Sequence, residues 1–358
     1  MNIRYYKELD GVRAIAALMV MFFHFCGGIV TNNSFLLLIK KVSIFGQTGV
    51  SLFFVLSGFL ITRLLLNSKT QKKYFFNFYI KRVLRIFPLY YFFLLVFYFV
   101  LPLVLKTPLI EFKYQYFYWI YLQNFAMTFN WFSNGPSHFW SLAVEEHFYF
   151  FWPFIIYFFC IKKIIVVIFL VIILSILTRV ILIKYNYDVF YFTFSRMDEL
   201  ALGALLAVAE IKHLLTNKNS KVFLLLFVIV LIPTLLIWIL NNASGNNTLQ
   251  VFKFILLATS FFSLIGYVIT VKESSILKKL LCLKPILYTG KISYGLYVYH
   301  PLCFFLFNKY ISSNSFILNL VGSFLLSYLT SSLSYYFIEL RFLNLKKYFI
   351  SNPSLKNS

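Results

Sequence analysis

The first apolar run of this sequence, LDGVRAIAALMVMFFHF at 9–25, carries Asp10, Arg13 and His24. A charge inside such a run costs about 3 kcal/mol on insertion scales, so each of the three is a candidate for function. If the run is helical, eleven steps of about 100° bring His24 within about 20° of Arg13 around the axis and about 16 Å further along it, with Asp10 about 40° from His24 on the other side. The three then share one stripe. Imidazole, whose ordinary pKa is about 6.5, suits proton transfer near neutrality, so the stripe offers a base at one end and a cation at the other. The plainer reading stands beside it: Asp10 and Arg13 cap and anchor one end of a helix, and His24 is a hydrogen-bonded core residue.

Three more stretches concentrate polarity. HFWSLAVEEHFYFFWP, at 138–153, sets His138, Glu145, Glu146 and His147 among aromatic side chains. A carboxylate there orients an imidazole or holds a sugar hydroxyl, and rings such as Trp140 and Tyr149 stack on a sugar; the alternative is an interfacial aromatic belt with exposed acids. SYGLYVYHPL, at 293–302, puts Ser293, Tyr294, Tyr297 and His300 in an apolar run, where substrate binding competes with polar packing between helices. In YIKRVLRIFPLYY, at 79–91, Arg82 and Arg85 stand three apart on one helical face. Guanidinium groups bind phosphate bidentately, and topology-setting charge is the competing reading.

These groups need elements that hold them in an apolar setting. Of 358 residues, 61% are hydrophobic and 12% are charged, against about 25% charged in a soluble domain. The apolar blocks are long enough for a hydrocarbon core about 30 Å thick, which predicts an all-α, polytopic membrane protein. About ten spans are expected, near 11–30, 49–67, 84–105, 139–160, 162–183, 196–211, 221–240, 250–271, 288–310 and 315–338. The aromatic stretch 114–132 is broken by Gln123 and Asn124 and reads as an interfacial or re-entrant segment.

A net charge of +22 would suggest nucleic acid in a soluble protein, but here the Lys and Arg sit in short connections. Membrane lipid is the expected partner, and nucleic acid is not. With the N-terminus inside, 21 basic residues fall on the cytoplasmic face and 6 on the other. That asymmetry predicts an even number of spans with both termini cytoplasmic, in a plasma or inner membrane. Residues 1–30 have the basic start and apolar run of a signal peptide, but the charged stripe interrupts the run and no cleavage site follows, so a retained helix is expected. Cys26, Cys160, Cys282 and Cys303 show neither CxxC spacing nor a metal-ligand pattern, and no disulfide framework or metal is expected. Residues 1–345 read as one membrane domain and 346–358 as a short basic cytoplasmic tail, with no soluble domain appended.

Taken in series, six segments resemble the acyltransferase-3 family of membrane acyltransferases. They are LDGVRAIAALMVMFFHF at 9–25, GVSLFFVLSGFLIT at 49–62, KRVLRIFPLYY at 81–91, FWSLAVEEHFYFFWP at 139–153, SRMDELALGALLA at 195–207 and GKISYGLYVYHPL at 290–302. The resemblance implies ten helices and transfer of an acyl group, usually acetyl, from cytoplasmic acyl-CoA to a carbohydrate on the far side. It implies that Arg13 and His24 form the essential pair, that Arg82 and Arg85 lie near the coenzyme phosphates, and that Glu145 and Glu146 match an acidic segment. Ser57, Arg196 and Asp198 fall in the matched segments as supporting residues, beside Asp10. One departure is Arg341 in YYFIELRF, where the family commonly shows proline. Many members also carry an extracytoplasmic hydrolase-like domain; none is read here, so acceptor recognition is expected from the membrane domain and its loops.

The mechanism expected from these residues has Arg82 and Arg85, assisted by Arg13, holding the coenzyme phosphates while His24 acts as general base on the acceptor hydroxyl. Acyl-CoA is then a co-substrate, and no permanently bound cofactor is expected. An acyl-histidine intermediate is the competing route. The rivals from other classes are a transporter or proton-coupled permease, since intramembrane charges also build ion relays, and a structural scaffold for cell-envelope assembly.

Overall fold

A computed structural model of the chain describes residues 4–240, 247–311, 313 and 315–349. The helices are α1 (Glu8–Gly27), α2 (Ser34–Ser43), α3 (Gly49–Ser68), α4 (Tyr74–Leu95), α5 (Leu101–Leu105), α6 (Phe112–Trp119), α7 (Gln123–Thr128), α8 (Trp140–Phe158), α9 (Ile161–Lys184) and α10 (Thr193–Ile211). They continue with α11 (Ser220–Leu240), α12 (Asn247–Thr270), α13 (Ile276–Leu281), α14 (Lys284–Tyr310), α15 (Phe316–Ser334) and α16 (Leu340–Phe349). The described residues contain no strand, as an all-α chain requires.

Among the described residues, seven helical stretches are long and apolar enough to cross a membrane: Glu8–Gly27, Ser34–Ser68, Tyr74–Leu105, Ile161–Lys184, Asn217–Leu236, Asn247–Thr270 and Phe316–Phe349. Helices also occupy the other three predicted spans, as α8, α10 and α14. These fall short on apolarity because each carries polar groups: Glu145 and Glu146 in α8, Arg196, Asp198 and Glu199 in α10, and Lys291 and His300 in α14. The stretch 114–132 is broken into helices of 8 and 6 residues, α6 and α7. At about 1.5 Å per residue neither crosses a bilayer.

Two boundaries differ from the sequence reading. The helix expected from 84 begins at Tyr74, so Lys81, Arg82 and Arg85 all lie within α4. Lys and Arg are good helix formers, and apolarity marks where a helix enters the membrane rather than where it starts. At the other end the helix runs on from α15 through a π-helical turn, Tyr335–Glu339, into α16. Arg341, unlike a proline, permits that continuation. Lys346 and Lys347, expected in a tail, belong to α16; the rest of that tail, from 350, lies outside the described residues.

The chain divides into two compact units. The first comprises residues 1–67 and 112–291, the second residues 68–111 and 292–358. In the first, α3 and α10 cross at Gly58 and Gly203, and the closeness is reciprocal. A Cβ on Gly58 would collide with the Leu200 carbonyl, and one on Gly203 with the Val55 carbonyl. Small residues at such crossings let backbones approach where no hydrophobic effect against lipid drives association. Gly203→Ala therefore forces the two backbones apart, an overpacking that costs about 1–3 kcal/mol. A lowered thermal midpoint of the detergent-solubilised protein checks this. In the second unit, α16 lies along α4, with Phe76 and Phe349 6.1 Å apart, and α14 is tied to α4 by the Tyr294 hydroxyl donating to the Ile86 carbonyl at 2.9 Å.

Candidate active site

In the first unit, α1 is held from both ends. At its start, Glu8 pairs with Lys278 at 3.2 Å, and both are almost fully buried. Tyr6 donates to Glu210 at 2.9 Å, and Glu210 also pairs with Arg63 at 2.5 Å. Burial, then the Glu210 carboxylate, push the Tyr6 hydroxyl up to about 12, so it stays a donor. Further along, Gly46 and Gly49 let the segment leading into α3 lie directly on the Met19 and Ala16 carbonyls of α1.

So gripped, α1 turns the predicted stripe inward. Ala17, Val20 and Met21 lie between Arg13 and His24 on that stripe and are 1%, 1% and 0% exposed, whereas Ile15 on the opposite side is 42% exposed. Arg13 pairs with Asp10 at 2.5 Å, with side chains 26% and 18% exposed, and Asp10 also accepts a hydrogen bond from Tyr5. His24 is half-buried and hydrogen-bonds the Val20 backbone carbonyl one turn back. A neutral imidazole has one N–H donor and one lone-pair nitrogen. Donation to Val20 therefore assigns the lone pair to the other nitrogen, the form a general base needs.

Helix α8 is fixed to α3 by two polar contacts, Tyr149 with Ser57 and Trp152 donating to Thr62 at 2.7 Å. Glu145 lies one turn before Tyr149 on the same face, and Glu145 and Glu146 are both half-buried. Thr193 receives a hydrogen bond from Asn124 at 2.7 Å and contacts His147 Nδ1 at 2.7 Å. The Tyr121 backbone is a second partner of His147, so this histidine ties the turn between α6 and α7 to α8 and α10.

Trp140 is buried, with its ring 4.9 Å from Phe190 and 5.2 Å from the Arg196 guanidinium. Arg196 is 1% exposed and pairs with Glu199 at 3.0 Å. It also donates to Ser51 at 3.2 Å and lies 4.0 Å from the centre of the Phe254 ring. Asp198 meets Arg179 at 2.8 Å with both side chains fully buried. Arg196 and Asp198 thus have separate partners and form adjacent buried pairs. Sequence reading missed Glu199, Arg179, Lys253, Arg63, Glu210 and Lys278. The rule that singled out His24, a charge within an apolar run, also applies to Arg179 and Lys253.

In the second unit, Arg82 and Arg85 are half-buried on α4. Lys346 of α16 lies within Coulombic range of Arg85, Arg82 and Lys81, and Glu339 within that of Arg85. The predicted pair is therefore part of a larger basic cluster that only the packing of α16 on α4 assembles. Tyr297 is 6% exposed and His300 is 0% exposed. His300 Nδ1 bonds the Leu296 carbonyl at 2.9 Å, and its ring packs 5.6 Å from Phe304.

Comparison with known proteins finds the family described as an acyltransferase domain, matched over residues 6–336. Among curated proteins, O-acetyltransferase OatA of Staphylococcus aureus, in strains NCTC 8325 and COL, is 31% identical over 355 residues. The match takes in 94% of this chain and 57% of each relative, so the chain spans a little over half of their length. No solved structure matches.

Proposed function

The chain belongs to the acyltransferase-3 family, and on that premise we propose that it moves an acyl group, acetyl first among the choices, from cytoplasmic acyl-CoA to a hydroxyl of an extracytoplasmic or lipid-linked carbohydrate. In this reading ten helices span the plasma or inner membrane with both termini cytoplasmic. Arg82 and Arg85 hold the coenzyme phosphates, with Arg13 assisting. His24 takes the proton from the acceptor hydroxyl, and the resulting oxygen attacks the thioester carbonyl. The C–S bond breaks, the proton passes to the departing coenzyme A sulfur, and an ester is formed.

The observation that carries this reading is the inward stripe of α1: an arginine and an imidazole about three turns apart, aligned on a face whose intervening residues are buried. The half-burial of His24 supports a base sheltered from bulk water, and its bond to Val20 supports a fixed tautomer. Glu145 and Glu146, with Trp140 and Tyr149 nearby on α8, remain the acidic and aromatic support for an acceptor, and Tyr297 and His300 the corresponding groups on α14. The purified chain in lipid nanodiscs, given acetyl-CoA, is expected to release free coenzyme A thiol only when a glycan acceptor is present. Release that ignores the acceptor, or none with any glycan, counts against the reading.

A further inference from the structure

The segment 112–134, which crosses no bilayer, folds into a cleft. We propose that this cleft, lined by Tyr114, Met127, Asn130, Trp131, Phe132 and Asn134, binds a carbohydrate and serves as the acceptor's docking subsite. The inference rests on the transferase reading above for the word acceptor, and on the cleft alone for the carbohydrate.

Its construction argues for a built surface. The Asn134 N–H donates to the Tyr114 carbonyl at 2.8 Å, closing the segment on itself. At the end of α7, Asn130 adopts the left-handed conformation with φ 55°, and the Trp131 N–H returns to the Ala126 carbonyl at 2.9 Å. That is the bond by which a helix ends in a left-handed residue, a role asparagine tolerates better than other side chains. The turn swings Trp131 against Phe117, stacked at 5.6 Å with planes 29° apart, and against Phe129 at 5.6 Å. Trp131 is thereby a fixed platform that still leaves 47% of its surface exposed, next to Phe132 at 84%. The base of the segment is anchored too, by Asn124 donating to Thr193 and Gln123 donating to the Phe139 carbonyl at 2.8 Å.

The chemistry of the lining selects the ligand. The cleft holds about 540 Å³, within the range of small-molecule sites, and combines aromatic faces with a few neutral polar groups. Asn130, Ser133 and Asn134 supply amide and hydroxyl groups beside the rings. An apolar ring face flanked by amides matches a pyranose, which presents C–H groups on its faces and hydroxyls around its edge. Among the described residues no carboxylate or cation is in the lining itself, and Lys113, its ammonium 4.8 Å from the centre of the Tyr114 ring, is the cation beside it; a neutral sugar fits that lining better than a phosphate or a metal. In the proposed topology the segment connects two spans on the extracytoplasmic side, where the acceptor arrives.

The test titrates the purified full chain in phosphatidylcholine nanodiscs with the tetramer of N-acetylglucosamine and with maltoheptaose, read by saturation transfer from protein to sugar. Wild type is expected to bind at least one of the two. Trp131→Ala and Phe132→Ala are each expected to weaken binding about tenfold or more, while Trp131→Phe, which keeps a ring, retains it within about threefold. Since Trp131 packs on its neighbours, the exposed Phe132 guards against a loss of folding being mistaken for a loss of binding. Wild type that binds neither sugar overturns the inference. So does unchanged sugar binding in both alanine variants with altered quenching by brominated lipid, which would make the rings a membrane belt. If acceptor-dependent release of coenzyme A is present but Trp131→Ala leaves the acceptor KM unchanged, the inference fails and the transferase reading stands. Sugar binding that survives in a chain lacking any transferase activity would instead uphold the carbohydrate site and remove its role as an acceptor subsite.

Discussion

Replacing His24 with alanine is expected to slow acyl transfer by about 10² to 10⁴-fold, the range that positioned general bases contribute, in a protein that still folds. The folding half of that expectation comes from packing. His24 is half-buried near the end of α1, whereas the contacts that seat the helix are made by Glu8, Ala16 and Met19. The ring bonds the Val20 carbonyl one turn back, and its removal leaves that carbonyl with its ordinary helical partner. The assay is release of coenzyme A with acceptor present, alongside a thermal melt. Near-wild-type turnover in a folded His24→Ala protein would remove the imidazole from the chemistry. The same variant separates the two routes: radiolabelled acyl-enzyme trapped in wild type and missing from His24→Ala would replace direct transfer by an acyl-histidine.

The second large effect is on stability. Asp198→Ala is expected to destabilise the first unit by about 3–5 kcal/mol, because it leaves the Arg179 guanidinium buried without its counter-charge. Both side chains are fully buried at 2.8 Å, and Arg179 sits in the apolar helix α9. The diagnostic comparison is the double variant Arg179→Met with Asp198→Leu. Removing both charges also removes the cost of burying them, so the double variant should melt much closer to wild type than the single one. Equal loss in both would mean that the volume of the side chains, rather than the charge, is what matters there.

The contrast between these residues shows what was legible. Arg13, His24 and Asp10 could be found because they interrupt an apolar run at helical spacing, and helical geometry put them on one stripe before any fold was known. The burial of Ala17, Val20 and Met21 between them could not be found that way, since it depends on where Gly46 and Gly49 bring another segment. His147 shows what packing adds. Its residue type and its neighbours Glu145 and Glu146 suggested chemistry, yet the partners that define it, Thr193 and the Tyr121 backbone, come from elsewhere in the chain. Trp140, a sugar platform by residue type, also packs on Arg196 and Phe190, contacts its own segment does not announce. Trp131 and Phe132, whose exposed faces line a cleft, are in 114–132, a stretch that the sequence marks as an interfacial or re-entrant segment.

By itself the sequence determined that the chain is helical and membrane-length in its periodicity, which family it falls in, and which charges are too costly to lie in lipid without a purpose. Those are local properties: transfer energies add residue by residue, and helical spacing fixes which side chains share a face. Only the tertiary structure decided which charge meets which. Asp198 chose Arg179, Glu210 chose Arg63, and Lys346 joined the cations of α4. Partner choice between segments far apart in sequence is set by close packing and by pairing in a medium of low dielectric constant, and neither leaves a period in the chain.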